Sequence, residues 1–503
     1  MIAKQSDILL CTINASYIHA AVGLRYLYAN LNELQAQTDI LEFTSNLRPA
    51  DIVEKLLQKA PCIIGFGVYI WNTEHTSKVI ALIKNIRPEI IIIIGGPEVS
   101  YEYEQQAIFQ SADYLITGAA DTRFARLCRQ LLNRDDSPSK TLSIHSKVFQ
   151  EKEPELDQIK LPYQYYSDED IKNRVLYVEA SRGCPFKCEF CLSALDKTSI
   201  PFDIDVFLNE MSKLYDRGAR NFKFVDRTFN LKIQTSLKIL EFFLERMDDT
   251  LFLHFEIIPD RLPDALKEII KRFPQGSLQF EMGVQSFNPE VQQLISRKQD
   301  NSKTVANLAW LREHSNAHIH ADLIFALPDE DLTSFARGFN QLYQLQPHDI
   351  QLGILKRLRG TPIIRHTEQY QMVFDTNAPY SILATNKIDF LLIQRISRFA
   401  RYWELIANSG NFASSIKVLL ADQAFERFLA FTDWLYESSG KTHQISMRKL
   451  YDYLYYGYSH CFNEDNAEIL SSLLEDYKSS GLKGMPEFYK NMRSSKGNPL
   501  IKQ

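Results

Sequence analysis

Three cysteines in one short segment carry the clearest chemistry in this sequence. The segment SRGCPFKCEFCLSA places Cys184, Cys188 and Cys191 at spacings of four and three residues. Three thiolates in a short loop can hold a corner-sharing cluster of iron and sulfide, because the loop can turn all three sulfurs inward. Such a set supplies three ligands to four irons and leaves one iron open to a small chelating molecule. A structural or electron-carrying cluster would normally close that position with a fourth cysteine.

Zinc is the main alternative partner for these thiols. A structural zinc site usually takes four nitrogen or sulfur ligands, often supplied by pairs such as C-x2-C. The neighbouring sequence contains no partner histidine, and Cys461 lies in another predicted domain. The pattern therefore favours iron over zinc.

The cysteine segment resembles the hallmark of the radical S-adenosylmethionine superfamily, which is C-x3-C-x2-C with an aromatic residue, here Phe190, before the third cysteine. The resemblance implies a [4Fe-4S] cluster on Cys184, Cys188 and Cys191, whose open iron chelates the amino and carboxylate groups of S-adenosylmethionine. One electron then cleaves the sulfonium to methionine and a 5'-deoxyadenosyl radical. In such enzymes the cofactors supply the radical chemistry, and the protein supplies position and exclusion of solvent.

The same resemblance nominates residues that bind S-adenosylmethionine, but no further catalytic residue. The nominated residues are Phe190, Asp226, Arg227, Thr228, Glu256, Gln285, Ser286 and Arg297. Their alternative roles are strand-end capping and, for Arg297, a place on the surface. The segment DLIFALPDED resembles a D-L-I-x-G-L-P-G-E segment of the family. It has Ala326 and Asp329 where the family has glycines, which allow close approach of the backbone to adenine.

The elements that must position these residues follow from the hydrophobic pattern. Between residues 6 and 133, apolar β-branched runs alternate with helical stretches, which predicts a parallel sheet covered on both faces. The expected strands span 7–13, 38–44, 62–68, 89–96 and 113–118, and the expected helices span 20–34, 50–59, 73–85 and 122–132. This is a five-unit, doubly wound, flavodoxin-like domain of the α/β class.

A second series of six βα units predicts a partial (β/α)6 barrel, whose ligands should gather at the carboxyl ends of the strands. Its expected strands span 175–180, 221–226, 251–257, 277–284, 320–327 and 349–356. The predicted domains are 1–135, a linker over 136–170, the barrel over 171–376, and an α-helical C-terminal domain over 377–503 with helices at 395–410 and 447–460. We expect the helical domain to cap the barrel mouth. Its candidate substrate surface contains Arg401, Tyr402, Trp403 and Asn408, with core packing as the alternative for the aromatic residues.

The loops at the carboxyl edge of the first sheet resemble the cobalamin-binding branch of this superfamily. The resemblance nominates Asn14, Tyr17, His19, Tyr69, Trp71, Gly95, Gly96, Pro97, Glu98, Thr117 and Gly118 as cobalamin-binding residues. The family's G-E-G-E reads GAAD here, and Tyr17 replaces the acid of the D-x-H-x-x-G motif. The lower axial face of cobalamin should therefore lack a protein imidazole. The alternatives are a loop histidine bonded to backbone for His19 and a tight turn for Gly95 and Gly96.

These resemblances imply a cytoplasmic, cobalamin-dependent radical S-adenosylmethionine enzyme. The enzyme would transfer a methyl group to an unactivated carbon of a small molecule, or would carry out a radical rearrangement on it. Its electron donor would be a protein such as flavodoxin or ferredoxin. One alternative is an RNA-modifying methylthiotransferase with a second cluster on Cys11, Cys62 and Cys128, although buried inert thiols fit those positions better. The other is a non-enzymatic cobalamin or redox sensor.

Composition limits the partners of this 503-residue chain. Its net charge of -5 and pI near 6.2 provide no overall basic field for a polyanion, so nucleic acid is not expected as a partner. The last 27 residues are locally basic, with Lys478, Lys483, Lys490, Arg493, Lys496 and Lys502 against Glu487. No apolar run is long enough to span a membrane, and the N-terminal apolar stretch is too short for a signal sequence. Seven sparse cysteines are typical of a reducing compartment.

Overall fold

The computed structural model describes residues 6–132, 146–150, 155–196, 198–462, 464 and 466–490. The first sheet has six parallel strands in the order β2-β1-β3-β4-β5-β6. The strands are β1 (Ile8–Asn14), β2 (Thr38–Thr44), β3 (Ile63–Gly67), β4 (Ile91–Gly95), β5 (Tyr114–Thr117) and β6 (Val148–Gln150). The order of the first five is the flavodoxin-like order, so the predicted doubly wound fold is confirmed.

Helices cover both faces of this sheet. They are α1 (Val22–Ala29), α2 (Pro49–Leu57), α3 (Thr73–Ile86), α4 (Ala107–Ser111) and α5 (Arg123–Leu131). Two separate apolar cores result, one on each face. The structure differs from the predicted linker, because residues 136–170 contain short 3₁₀ helices, the start of a helix at Asp168, and β6, which pairs with β5. The three residues of β6 are too few to show a strand period, so only the pairing reveals this strand.

The second sheet is a six-stranded parallel sheet in the order β14-β13-β12-β11-β10-β7, which is the predicted partial barrel. The strands of this region are β7 (Leu176–Val178), the antiparallel pair β8 (Ser181–Arg182) and β9 (Ile200–Pro201), β10 (Asn221–Phe224), β11 (Phe252–Ile257), β12 (Leu278–Gln285), β13 (His318–Phe325) and β14 (Asp349–Ile354). The helices are α6 (Asp168–Asn173), α7 (Ile204–Asp216), α8 (Ile233–Leu244), α9 (Asp264–Ile270), α10 (Pro289–Leu294), α11 (Asn301–His314) and α12 (Leu332–Gln344).

Strand β12 places apolar side chains in the core on one face and cavity-lining residues on the other. Its sequence LQFEMGVQ alternates buried apolar residues with partly exposed residues, because successive side chains of a strand point to opposite faces. Phe280 and Met282 belong to the apolar core. Glu281, Gly283 and Gln285 face the opposite side, where they line a cavity.

A buried network of charged side chains joins the two sheets. Arg25 of α1 contacts Glu42 of β2 at 2.9 Å and Asp170 of α6 at 2.8 Å. Arg174 contacts the same two carboxylates at 2.8 and 2.9 Å. All four side chains are 10% exposed or less. Removing one partner would leave a buried charge unpaired. The network therefore holds the first sheet against the segment that leads into β7, the first strand of the barrel.

The C-terminal part begins with a short hairpin and continues as helices. The hairpin pairs β15 (Val373–Phe374) with β16 (Ile382–Ala384) and therefore crosses the predicted boundary at 376/377. The helices are α13 (Phe390–Ile406), α14 (Ser415–Leu420), α15 (Ala424–Ser439), α16 (Met447–Cys461) and α17 (Asn466–Ser479). Of the predicted basic tail, Arg493, Lys496 and Lys502 lie outside the described residues. No helix among the residues described is both long enough and apolar enough to cross a membrane.

We expected the helical part to cap the barrel mouth. Its described residues instead pack beside the barrel, against α12 and β14, and none of them lines either cavity described below. Asn408 contacts the backbone of Ile350 in β14 at 3.1 and 3.2 Å, and Asn340 of α12 contacts α15. The predicted substrate surface on α13 is mostly core. Tyr402 and Trp403 are buried, and Arg401 lies near the Thr442 carbonyl oxygen. The helical period could not show this, because an aromatic stripe looks the same whether it covers a ligand or another helix.

Candidate functional site

The three motif cysteines line one cavity at the carboxyl ends of the barrel strands. The cavity has a volume of about 280 Å³ and also contacts the loops after β10, β11 and β12. Among the described residues, no three His, Cys, Asp or Glu side chains converge on a single metal ion. Because the sulfurs of Cys184, Cys188 and Cys191 lie around a cavity, they fit a cluster with an open side better than a closed single-ion site.

Burial affects the protonation of these thiols. It raises the pKa of Cys184 to about 11, and it also raises the pKa of Cys188, where the nearby Arg297 guanidinium acts in the opposite direction. The Nη1 atom of Arg297 lies 3.6 Å from Cys188 Sγ. Metal ligation needs thiolates, so binding of iron must release these protons.

Glu189 fixes the cluster loop from inside the motif. It is 2% exposed and lies between Cys188 and Cys191. Its carboxylate accepts hydrogen bonds from Ser296 Oγ at 2.5 Å, from His366 Nε2 at 2.9 Å and from the Arg365 guanidinium. Three donors from two distant segments therefore hold one buried carboxylate, and the sequence analysis missed this residue.

Most of the predicted S-adenosylmethionine residues lie around this cavity. The lining includes Phe190, Arg227, Thr228, Glu256, Gln285 and Arg297. Arg227 Nη1 donates to Glu256 Oε1 at 2.7 Å, so two of them form an ion pair. These positions agree with the predicted role, which stays a prediction for each residue.

Two of the predicted residues do not line the cavity. Asp226 accepts hydrogen bonds from the backbone nitrogen of Ala180 at 2.9 Å and from Ser181 Oγ at 2.6 Å, and burial raises its pKa to about 7. Ser286 donates to the buried carboxylate of Glu330 at 2.7 Å. Asp226 therefore holds the strand end that leads to Cys184, whereas Ser286 fixes the turn after β12.

Gln285 lies at the end of β12, on the face that lines the cavity. The pairing of β12 with β13 shifts between Gly283 and Gln285, and Gln285 has a φ of 69°. A Cβ at Gly283 would lie 2.5 Å from Gln285 Nε2. Glycine at position 283 therefore leaves the space that the Gln285 amide occupies.

Sequence reasoning also missed acidic residues on the inner face of the barrel. Glu281 and Asp322 line the cavity. Although burial opposes ionisation, the hydrogen bond from His254 and the charge of Lys223 hold the pKa of Glu281 at about 2. His320 Nε2 lies 3.2 Å from Asp322 Oδ1. The signal was available, because charged residues at every second position of an apolar strand mark a polar inner face.

After β13, two residues other than glycine adopt the left-handed backbone conformation that usually favours glycine. Ala326 has a φ of 67° and Asp329 has a φ of 61°, at the two positions where the family pattern has glycine. Left-handed conformations are costly for residues with a Cβ, so tertiary contacts must hold this turn. One such contact is the ion pair of Asp329 with Lys387, at 2.8 Å.

A second cavity lies at the carboxyl edge of the first sheet. It has a volume of about 320 Å³ and is mostly apolar, with walls from α1, the ends of β3 to β5, and the first two barrel loops. Four predicted residues line it, namely Tyr69, Gly95, Gly96 and Gly118. No histidine is among the described residues that line it. A Cβ at Gly96 would lie 2.4 Å from the carbonyl oxygen of Val68, so the tight turn alone requires glycine there.

Other predicted cobalamin residues have different partners and do not line this cavity. His19 Nδ1 lies 2.7 Å from the Tyr177 hydroxyl, and Tyr17 donates to Glu169 at 2.9 Å. Asn14 donates to the carbonyl oxygen of His19, and the Trp71 ring stacks on the Tyr69 ring with 4.5 Å between centroids. Glu98 accepts hydrogen bonds from Tyr380 at 2.5 Å and from Arg359 at 3.0 Å. Thr117 is buried, and Pro97 begins a short 3₁₀ turn. Their proposed contacts with cobalamin stay predictions.

Several residues that the sequence did not single out line this second cavity. Gly65 and Gly67 leave one face of β3 without side chains, and Tyr26 contributes from α1. The sequence signal was the pair of glycines at i and i+2 in IIGFG. Asp121, the last residue of GAAD, accepts hydrogen bonds from Arg182 at 2.9 and 3.1 Å.

The two cavities are lined in part by the same two barrel loops. Arg182 lines the second cavity and Cys184, two residues later, lines the first. In the loop after β10, Val225 lines the second cavity and Arg227 lines the first. The same two barrel loops therefore contribute walls to both cavities.

The remaining cysteines of the first domain do not form a third site. Cys11 lies on β1, Cys128 lies on α5, and both are buried, whereas Cys62 is exposed. The prediction of a buried thiol is thus wrong for Cys62, which comes before the first residue of β3. Burial raises the pKa of Cys11 and Cys128. Separate elements hold the three thiols, so they offer no shared cluster.

Three family models match separate parts of the chain. Residues 8–128 match the B12 binding domain. Residues 178–337 match the radical SAM superfamily. Residues 368–503 match a protein family of unknown function, DUF4080.

Two methyltransferases align with this chain at low sequence identity. The uncharacterized methyltransferase PH0819 of Pyrococcus horikoshii is 24% identical over 330 residues, which cover 61% of this chain and 70% of that protein. The cobalamin-dependent radical SAM methyltransferase TokK of Streptomyces tokunonensis is 22% identical over 423 residues, which cover 72% of this chain but only 60% of TokK.

A solved structure extends the comparison to nearly the whole chain. The cobalamin-dependent S-adenosylmethionine radical enzyme OxsB, solved with aqua-cobalamin and S-adenosylmethionine bound, matches with a TM-score of 0.60 at 13% identity. The match covers 99% of this chain and 81% of OxsB. At this identity the similarity shows the fold alone.

Proposed function

We propose that this chain, which belongs to the cobalamin-binding branch of the radical S-adenosylmethionine superfamily, is an enzyme that transfers a methyl group to an unactivated carbon of a small molecule. The observation that carries the proposal is that the same two barrel loops contribute walls to both cavities. A cobalamin-dependent reaction with S-adenosylmethionine needs both groups at one substrate. The names of PH0819 and TokK support methyl transfer as the reaction.

The first cavity would hold the [4Fe-4S] cluster and S-adenosylmethionine. Cys184, Cys188 and Cys191 supply three thiolates, and the cavity leaves space beside them for a chelating ligand. When bound, the cluster supplies the electron that cleaves the sulfonium. Glu189 fixes the ligand loop, and the carboxylate and guanidinium groups of the lining offer partners for the ribose and methionyl groups.

The second cavity would hold cobalamin. Its apolar lining and its edge of glycines fit a flat macrocycle approached closely by backbone. The expected lack of an axial protein imidazole remains part of the proposal. Asp121 and Arg182 form a charged wall toward the barrel.

The reaction also needs a source of electrons. We assign this role to an acidic flavodoxin or ferredoxin of the cytoplasm. The seven cysteines, none of them in a disulfide, support a reducing compartment.

Anaerobic reconstitution tests the proposed function without knowledge of the substrate. Protein supplied with iron, sulfide and cobalamin should bind about four iron atoms and about one cobalt atom per chain. With S-adenosylmethionine and titanium(III) citrate it should then form 5'-deoxyadenosine. The matched control is Cys184→Ala, compared with Cys62→Ala at an exposed thiol outside both cavities. No 5'-deoxyadenosine above the Cys184→Ala control would contradict the proposal and favour a sensor, and about eight iron atoms would favour a methylthiotransferase.

A further inference from the structure

The segment after β14 connects the first sheet to the cysteine loop. It spans residues 357–366, with the sequence RLRGTPIIRH, and ends in the 3₁₀ helix Pro362–His366. We call it the bridging segment. Its first residues contact the loop after β4, and its last residues contact Glu189. None of its residues, all of which the structure describes, lines the cavity of the cysteines or the cavity of the first sheet.

Glu98, in the loop after β4, holds the start of the bridging segment. This side chain is 4% exposed and accepts hydrogen bonds from Arg359 Nε at 3.0 Å and from the Tyr380 hydroxyl at 2.5 Å. The same hydroxyl accepts a hydrogen bond from Arg359 Nη2 at 2.8 Å, so the three side chains form a closed set. A carboxylate with a guanidinium and a hydroxyl as donors makes strong, directional hydrogen bonds.

Glu102 holds the same segment a second time. Its carboxylate accepts hydrogen bonds from Arg357 Nη2 at 2.6 Å and from the backbone nitrogen of Gly360 at 3.0 Å. Gly360 has a φ of 79°, and a Cβ there would lie 2.4 Å from the Tyr101 ring. Only glycine therefore allows the bridging segment to approach the loop after β4 this closely.

The loop after β4 also forms an edge of the second cavity. Gly96, two residues before Glu98, lines that cavity, as does Gly118. Ser100 Oγ donates to the carbonyl oxygen of Gly96 at 2.8 Å and accepts from the backbone nitrogen of Gly118 at 3.4 Å. The position of Glu98 therefore determines the position of this glycine edge.

The other end of the bridging segment holds the cysteine loop. The backbone nitrogen of Ile363 donates to the carbonyl oxygen of Glu189 at 3.0 Å. The Arg365 guanidinium and His366 Nε2 donate to the carboxylate of Glu189, which follows Cys188 directly in the chain. Ile363 is fully buried, so this end of the segment is also fixed by packing. One short segment is thus bonded to the edge of one cavity and to the ligand loop of the other.

From this arrangement we infer that Glu98 and Glu102 are positioning residues, which couple cobalamin binding to cluster binding through the bridging segment. The inference rests on the proposed function, because it requires that the chain bind both groups. A ligand that orders one end of the segment lowers the entropic cost of ordering the other end. Glu98 acts on cobalamin through Gly96 and not by direct contact, since its carboxylate is occupied by Arg359 and Tyr380. Coupling of this kind is reciprocal between the two sites.

A double variant, Glu102→Ala with Tyr380→Phe, tests the coupling. The first change removes the acceptor of two hydrogen bonds from the bridging segment, and the second removes the hydroxyl that donates to Glu98 but keeps the aromatic ring. Neither side chain lines a cavity, so neither change removes a contact with a bound group. Glu102→Gln alone is the milder variant, because its amide oxygen can still accept from Gly360.

The control is Asp39→Asn on β2. This change removes the charge of another carboxylate of the first sheet, which pairs with Lys59 at 2.8 Å and accepts from Ser6 at 2.8 Å. Both of these partners belong to the first domain. Asp39→Asn therefore leaves every contact between the first sheet and the bridging segment in place.

The readout is the dissociation constant for hydroxocobalamin, measured by anaerobic absorbance titration before and after reconstitution with iron and sulfide. In the wild type, the reconstituted chain should bind cobalamin about tenfold more tightly than the chain without iron. That ratio should fall to about twofold or less in the double variant. It should be intermediate in Glu102→Gln and unchanged in Asp39→Asn.

Two results would overturn the coupling and leave the proposed function intact. One is a double variant that weakens cobalamin binding equally with and without iron, which would show a merely structural role and leave Asp121 and Arg182 as the connection between the sites. The other is a wild type that binds cobalamin with the same affinity in both states. A wild type that binds no cobalamin in either state would contradict the proposed function itself, and the coupling with it.

Discussion

The carboxylate of Asp121 accepts two hydrogen bonds from the guanidinium of Arg182, at 2.9 and 3.1 Å. Asp121 ends the loop after the fifth strand of the first sheet, and Arg182 precedes Cys184 by two residues. The Nε atom of Arg182 also donates to Glu179 at 2.9 Å. A single guanidinium therefore connects the edge of one cavity to the loop that lines the other.

Asp121→Asn should weaken cobalamin binding and preserve the cluster. The amide keeps the shape of Asp121 but removes one charge from the bidentate pair, so Arg182 loses its fixed position in the cavity wall. We expect the cobalamin dissociation constant, measured by absorbance titration, to rise about tenfold while iron per chain stays constant. The control is Asp113→Asn, which removes the partner of Lys84 away from both cavities. An equal effect of both substitutions would contradict a local role for Asp121.

Glu189→Ala should impair retention of iron. The substitution leaves the donors of Ser296, Arg365 and His366 without their shared acceptor, so the loop between Cys188 and Cys191 loses its internal anchor. We expect iron per chain after reconstitution and desalting to fall below about half, with an intermediate value for Glu189→Gln because the amide oxygen can still accept. Glu290→Gln at an exposed position is the control. Full iron retention in Glu189→Ala would show that the anchor is dispensable.

Gly283→Ala should separate ligand binding from stability. The added Cβ would lie 2.5 Å from the end of the Gln285 side chain, which can move away at little cost to the fold. We expect the melting temperature to change by less than about 3 °C. The affinity for S-adenosylmethionine, measured by equilibrium dialysis, should fall about tenfold. Gly353→Ala on β14, where a Cβ makes only ordinary contacts, is the control. A large loss of stability with normal affinity would contradict the proposed place of Gln285.

Glu330→Gln should change the pH dependence of stability. Burial raises the pKa of Glu330 to about 7 from its usual 4.5, so between these values the folded chain keeps a proton that the unfolded chain has lost. The stability contribution therefore decreases as pH rises from about 4.5 to 7 and is constant above that, with a total of roughly 3 kcal/mol.

The glutamine variant lacks this titration. Relative to the wild type, its melting temperature should rise between pH 5 and pH 8, as measured by scanning calorimetry. The control Glu290→Gln should show no such trend. A difference between Glu330→Gln and the wild type that is independent of pH would show that Glu330 is ionised in the folded chain.

The sequence by itself determined the two parallel sheets and the location of the cysteine cluster site. These depend on signals that are local in the chain. Apolar runs separated by helical stretches identify strands that are buried on both faces, and three cysteines within eight residues remain close in any loop conformation. Strand β6 was not predicted because its three residues are too few to give such a local signal.

Only the tertiary structure decided which of the nominated side chains meet. Asp226 and Ser286 follow the correct strands, yet both turn toward buried partners, and His19 turns to Tyr177 across a separation of 158 residues. Glu189 gained its role through Arg365, 176 residues away. The physical reason is that a strand period fixes the face of a side chain, whereas bulges, left-handed turns and packing between distant segments fix its partner.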